Sequence, residues 1–562
     1  MATDVQPPVY GGRAIRTRPV AERRLRRDVG FLGLMFASLG SIIGSGWLFG
    51  ALYAAQIAGP AALISWVAGG VAVMLLALVH AELGGMFPVA GGSARFPHYA
   101  FGNLVGFGIG WIAWLGAVTT APIEVEASLQ YFTHYVSWFT KTSAGTTVLT
   151  WPGWFVAIAL MFVFSVVNVL GVRWLARTNT YIMWWKIAIP FLAVATLMAL
   201  SFHGHNFTHF GGFVPFGAYG ILSAISTGGV IFAYLGFEQA VQLGGESSNP
   251  RRNIPLAVIT SMVIGIVLYI LLELAFIGAV HPSNLTHGWS AVSFAQSAGP
   301  FAGLATLVGA SWLAILLYVD AGISPGGTGL LYTGTSARLS YALGRQGYIP
   351  VIFGRLNDRG VPWVSIFLSF VAGVVLFLPF PGWQQLVGFV TSATVLMYAS
   401  APLALAALRR QDPDRERPYR LPGAEIIAPL AFIVANYIIY FTGWVTDWKL
   451  FVGVAIGFVL LAVSHVTNPS ERVPRLDWRG FRWMPIWIAG MAVISLLGRF
   501  DHGNYVIPQW WDLVVVALFS LLIYRLALAV RLAPEEVHEH VGDVEQEAEE
   551  EKRELGAAAA PV

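Results

Sequence analysis

The chain has 562 residues, 56% of them hydrophobic and only 11% charged, with a mean hydropathy of +0.66. A soluble domain devotes about a quarter of its residues to charge, and a membrane β-barrel shows short alternating segments; continuous apolar runs of roughly 20 residues exclude both and imply a polytopic all-α membrane protein. With no cysteine there is no disulfide framework, thiol catalysis or Cys-based metal site. The net charge of +3 reflects arginines gathered in loops for topological reasons and does not point to a nucleic-acid partner.

Residues 1–28 are basic, lack a signal-peptide pattern and read as an N-terminal segment on the cytoplasmic side, so the first span doubles as the insertion signal. About fourteen spans follow, at 29–56, 60–87, 101–133, 151–171, 178–201, 218–243, 254–280, 303–332, 362–380, 384–408, 424–443, 448–467, 483–498 and 510–530. With the N-terminus inside, the outer loops hold only Lys141, Lys449 and Arg499, while arginines crowd the inner ones, as the positive-inside rule requires. Both termini are therefore expected in the cytoplasm of a cell-membrane protein. The last residues, 533–562, are acidic and lack an apolar stripe, which predicts disorder or a solvated helix.

Span one carries "GSIIGSGWLFG", Gly40–Gly50, near its midpoint. In hydrocarbon, unwound backbone is tolerated only where it lines a protein-enclosed cavity. A break at Gly44-Ser45-Gly46 would leave a half-helix whose free N–H groups and partial positive charge suit a carboxylate. The carbonyls of Ile42 and Ile43, orphaned at the other half-helix, suit an ammonium. Close helix packing through small residues is the competing reading of the same motif. A second interruption falls in span six, where Gly236 precedes Phe237 and Glu238 inside "FAYLGFE". Spans one and six are the first members of two five-helix units, 29–201 and 218–408, and broken helices at matching places in two halves point to a transporter site.

Lys186 is the sole charge of span five, and intramembrane ionisable groups mark functional sites unless they snorkel to an interface. Asp320, in span eight, is its natural counter-charge or proton-relay partner. Glu124 and Glu126 lie about 200° apart on a helix, so one alone can face a cavity, and Glu124 is preferred. Glu238 follows the predicted break and is a candidate for substrate or proton sensing. Glu82 reads equally as structural, Glu273 has no assignable role, and Glu246, Arg251 and Arg252 suggest a cytoplasmic gate. No His-Glu-x-x-His or phosphate-binding loop occurs, and the histidines lack metal-ligand spacing, which argues against an enzyme, a metal site or a cofactor.

"GSIIGSGWLFG", "FAYLGFE" and "GESSNPRRNIP" (Gly245–Pro255) together resemble the amino acid–polyamine–organocation transporters. "AISTGGVIFAYLGFEQ" and "VDAGISPGGTG" are most similar to bacterial aspartate–proton symporters. The resemblance implies a LeuT-type five-plus-five inverted repeat over 29–408 with alternating access, and additional C-terminal spans over 409–532. It puts the substrate carboxylate on Gly44, Ser45 and Gly46, and the amino group on carbonyls of Ile42, Ile43, Phe232, Ala233 and Tyr234. It makes Lys186 the proton carrier, its ammonium standing where sodium-coupled relatives bind their ion between spans one and eight. Trp47, where the family often has Ile, puts a bulky ring at the pocket edge. The expected function is proton-coupled symport of an acidic amino acid such as aspartate. Charge counting leaves neutral or cationic amino acids and polyamines open as substrates, and a non-transporting sensor as a remote alternative.

Overall fold

The computed structural model describes residues 29–88, 92–143, 146–170, 173–294, 299–357, 360–380, 382–467 and 476–542. The basic segment 1–28 and residues 543–562 of the acidic tail lie outside the described residues.

The first broken span consists of α1 (Phe31–Ile42) and α2 (Gly46–Ala58), and α3 (Ala62–Met86) returns through the bundle. A short helix α4 (Gly92–Phe101) precedes α5 (Asn103–Phe132); α6 (Trp151–Leu170) and α7 (Arg173–Leu200) complete the first five spans. The sixth is divided into α8 (Gly217–Ser226), α9 (Val230–Tyr234) and α10 (Glu238–Gln242), and is followed by α11 (Pro250–Ala279). Then come α12 (Pro300–Leu307), α13 (Ser311–Arg345), α14 (Trp363–Leu376) and α15 (Trp383–Gln411). The C-terminal part holds α16 (Ala424–Thr442), α17 (Trp444–Thr467), α18 (Trp478–Phe481), α19 (Trp483–Leu497) and α20 (Trp511–Ala529). A two-stranded hairpin, Thr140–Ser143 with Thr146–Leu149, is the sheet among the described residues.

Among the described residues eleven helices are long and apolar enough to cross a membrane, or twelve with the pair Gly217–Ser226 and Val230–Gln242, which bends by 44°. The count of fourteen is not reached on length and composition, because Phe31–Ile42 and Trp363–Leu376 are short. Span eight is displaced from 303–332 to Ser311–Arg345: Gly309, at φ +81°, ends α12 and restarts the helix later. The most apolar windows of α5 and α15 are 94% and 100% buried, against 22% for α6. Hence α5 and α15 form the centre, and α6 faces lipid. Of the two expectations for the tail, a helix is what residues 534–542 form, largely exposed but with Val537 and Val541 buried.

Candidate functional site

The break in span one covers Ile43, Gly44 and Ser45, and α2 restarts at Gly46. The break in span six covers Leu235, Gly236 and Phe237, where Gly236 adopts φ +119°, a conformation that side chains other than hydrogen resist. The two interruptions touch. A Cβ on Gly46 would lie 2.9 Å from Ala233 Cα, and one on Gly236 would lie 2.5 Å from Ser41 Cβ. Glycine is thus required at both by close approach of backbone to backbone. Span six carries a further interruption around Gly229, φ +84°, that the sequence reading did not anticipate.

The amide of Ser45, at the positive end of α2, donates to Glu124 Oε2 at 2.8 Å. The carboxylate that this end was expected to attract is present, but it is the protein's own. The carbonyl of Ile42, expected to face an ammonium, accepts from the Tyr269 hydroxyl at 2.7 Å. Around Gly44 and Gly46, with Phe232, Thr120, Tyr332 and Thr394, remains a cavity of about 20 Å³, room for about one water. An amino acid requires these walls to move.

Lys186 is 2% exposed and its Nζ donates to Gly40 O at 2.7 Å and Thr328 Oγ1 at 2.9 Å. It thereby ties α7 to α1 and α13 beside the Gly44 turn, and it interacts electrostatically with Glu124 and Asp320. Asp320 does not bond Lys186; its Oδ1 accepts from Trp185 Nε1 at 2.9 Å and Ser324 Oγ at 2.7 Å. Glu238 lies outside the cavity. It accepts from the hydroxyls of Tyr332 (3.0 Å) and Tyr398, and Tyr332 accepts from Ser41 Oγ at 2.8 Å. This network joins spans one, six, eight and ten below the breaks. Tyr234 is held by its hydroxyl on Trp66 O at 3.0 Å, and Trp66 Nε1 donates to Glu273 at 2.8 Å.

Trp47 is not at the pocket edge: it packs against Phe301, 5.6 Å between ring centroids. The bulky ring over the site is Trp383, from the start of α15, which donates to Ser45 Oγ at 2.9 Å and stacks on Tyr53. Glu124 enters the site and Glu126 does not; both Glu126 oxygens are buried without a hydrogen-bond partner. Among the described residues no ion pair links Glu246, Arg251 and Arg252 to one another. Arg251 pairs with Glu416 at 2.8 Å on the surface, and the Glu246 carbonyl accepts from Val29 N–H at 3.1 Å. Glu82 is structural in its contacts, receiving two bonds from Arg409 (2.9 and 2.6 Å) and the Leu421 amide (2.6 Å).

The sequence reading missed Tyr269, Thr328, Tyr332, Trp383 and Tyr398. For two of them a signal existed: Asp320, Ser324, Thr328 and Tyr332 recur every four residues along one apolar helix and are all buried.

Comparison with known proteins adds one family profile and three relatives. A profile described as amino acid permease matches residues 29–470. A glutamate/serine transporter of Bacillus subtilis is 38% identical over 517 residues, covering 90% of this chain and 94% of the relative, and an aspartate-proton symporter of the same organism is 38% identical over 509 residues, covering 89% and 96%. The human cationic amino acid transporter 4 is 27% identical over 550 residues, 91% of this chain and 78% of that one.

Proposed function

The chain belongs to the amino acid permease family, a multi-pass membrane carrier and not an enzyme, and on that premise we propose that it is a proton-coupled symporter of an acidic amino acid. The observation that carries the proposal is the Glu124 carboxylate on the Ser45 amide at the start of α2. A helix N-terminus inside a membrane holding one carboxylate is chemically ready for another. Substrate entry then exchanges the α-carboxylate for Glu124, while the amino group competes with Tyr269 for the Ile42 carbonyl.

Lys186 supplies the coupling. As an ammonium it donates to span one at Gly40 and to span eight at Thr328, the position where a bound cation would bridge them. Loss of its proton weakens both donors and lets the two spans part. In this reading Glu238 with its two tyrosines shuts the inner path and Trp383 the outer, so the structure is an occluded stage of alternating access over a five-plus-five repeat. The arginine distribution supports a cell-membrane protein with both termini in the cytoplasm.

Two relatives at 38% identity, named for aspartate and for glutamate and serine, support an acidic substrate. A small neutral amino acid is the second reading. Lys186 is the basic side chain at the site and its contacts are already committed, which among the described residues leaves no further cation in the cavity lining for a second carboxylate. Proteoliposomes with an imposed pH gradient, and separately a sodium gradient, should accumulate labelled aspartate or glutamate in the first case alone. Uptake of serine without competition by aspartate would select the neutral reading; absence of any pH-driven amino acid uptake would sink the proposal.

A further inference from the structure

Away from the transport site, the ends of α15, α16 and α20 enclose a cavity of about 880 Å³. Six arginines line it: Arg409 and Arg410 from the last turn of α15, Arg417 and Arg420 from the loop that follows, and Arg525 and Arg531 at the end of α20. One lining carboxylate, Glu425, opposes them. Arginine at a helix C-terminus is ordinary dipole compensation, and part of the set is spent on structure. Arg409 and Arg417 face Glu82, at 2.6 and 3.5 Å, Arg417 also donates to nearby carbonyls, and Arg531 donates to Leu528 O. Among the described residues Arg410, Arg420 and Arg525 have neither a hydrogen bond nor an ion pair, and all three are exposed to the cavity. Such a concentration of unpaired positive charge in one concavity costs repulsion that an anion would relieve.

The remaining walls are apolar: Leu405, Ala428, Leu521 and Leu528 continue the cavity toward the outer faces of α16 and α20. There Ile426, Leu518 and Leu522 are 74%, 63% and 61% exposed. The site is therefore amphipathic, with guanidinium groups at the arginine-rich end of the bundle and lipid-facing side chains running away from them. Guanidinium forks match phosphate oxygens in pairs, and basic pockets between membrane helices on the positive side suit anionic headgroups. We propose that this cavity binds the phosphate of an anionic glycerophospholipid from the arginine-rich leaflet, with its acyl chains lying along α16 and α20. The C-terminal helices, which take no part in the transport cavity, would then lock α15, a wall of that cavity through Val390 and Thr394, to the surrounding lipid.

The full chain, purified in detergent and delipidated, is titrated with phosphatidylglycerol, with phosphatidylcholine carrying the same tails, and with inorganic phosphate, reading bound lipid by native mass spectrometry and stability by thermal unfolding. Phosphatidylglycerol should bind and stabilise in preference to phosphatidylcholine. Each guanidinium near an anionic headgroup is worth about fivefold in affinity, so Arg410→Gln with Arg525→Gln should weaken phosphatidylglycerol roughly 25-fold and leave phosphatidylcholine unchanged. Among the described residues neither Arg410 nor Arg525 has a hydrogen bond or ion pair, and Arg420→Gln, on the exposed loop, provides a second variant with a fivefold expectation should the pair fail to fold. Equal phosphatidylglycerol binding by wild type and variants overturns the proposal. So does stabilisation by inorganic phosphate that depends on Arg410 and Arg525 and displaces the lipid, which would assign the cavity to a soluble phosphate.

Discussion

Replacing Lys186 by Met removes the charge while keeping a long apolar side chain in a site that is 2% exposed. Two bonds vanish, to Gly40 O at 2.7 Å and to Thr328 Oγ1 at 2.9 Å. Gly40 O keeps the Thr328 hydroxyl at 3.1 Å, and Thr328 also reaches Ser324 O at 3.2 Å, so neither partner is left bare. The main loss is the electrostatic compensation of Glu124, whose carboxylate keeps its bond from the Ser45 amide. Lys186 and Glu124 act on each other through space and not as a direct ion pair, so the cost of about 3–5 kcal/mol for breaking a buried pair from one side is the upper bound for Lys186→Met. Glu124→Gln keeps an acceptor for Ser45 and should cost less. If the two charges answer each other, Lys186→Met with Glu124→Gln should be more stable than the sum of the single effects by about 2 kcal/mol. Thermal unfolding of the purified variants reads the stability, and proteoliposome uptake under a pH gradient reads the coupling. Strict additivity would refute the electrostatic link, and pH-driven uptake that survives Lys186→Met would refute the proton-carrying role.

The contacts of Gly46, Tyr269 and His98 give three further expectations. Gly46→Ala should lose transport and about 1–3 kcal/mol of stability, because its Cβ would lie 2.9 and 3.0 Å from Ala233 Cα and Cβ; adding Ala233→Gly should restore part of both. Tyr269→Phe should cost about 1 kcal/mol in unfolding yet lower the apparent KM, since it frees the Ile42 carbonyl; an unchanged KM would argue that this carbonyl does not meet the substrate. On the face bearing the tail helix, burial, then His540 and Arg95, push the His98 imidazole down to about 3, while Asp477 sits 3.7 Å from His540. A depressed folded pKa means that His98 is neutral when folded, so its stability contribution is full above about 6.5 and declines as pH falls from there toward 3. Protection factors of the amides over 534–542, taken against the intrinsic exchange rate at each pH, should fall on acidification through that window, and His98→Phe should flatten the response.

The span-one break was legible because glycine and serine are costly inside an apolar helix unless something requires them, and here two backbones meet at Gly46 and Gly236. What fills the break was not legible. Glu124 reaches it from 79 residues away and Tyr269 from 227 positions beyond Ile42, and local pattern carries no information about such pairings. Trp47 shows the same limit in reverse. It adjoins the motif in sequence, yet the helical turn after Gly46 points its ring to Phe301, leaving Trp383 from a span far along the chain to cover the site. The gate residues were grouped by proximity in sequence, whereas Arg251 finds Glu416 across the bundle surface. Charge pattern located the loops; it did not pair them.

A carrier must solve two problems with one set of charges: staying folded when empty and changing shape when loaded. With Glu124 seated at the head of α2, the half-helix dipole, the carboxylate and the Lys186 ammonium are balanced without any ligand. On the proposed mechanism a zwitterion brings its own carboxylate, so the exchange leaves the charge at α2 unchanged and instead frees Glu124 to relax away from Gly44. The displaced side chain is the only one of the pair rooted in α5, the central helix that packs against α13, where Thr328 and Tyr332 stand four residues apart. On that mechanism substrate occupancy would be transmitted to the Lys186 bridge at Thr328 and to the Glu238 network at Tyr332 through one helix. The fourfold polar spacing along α13 is the physical reason that a single displacement can reach both.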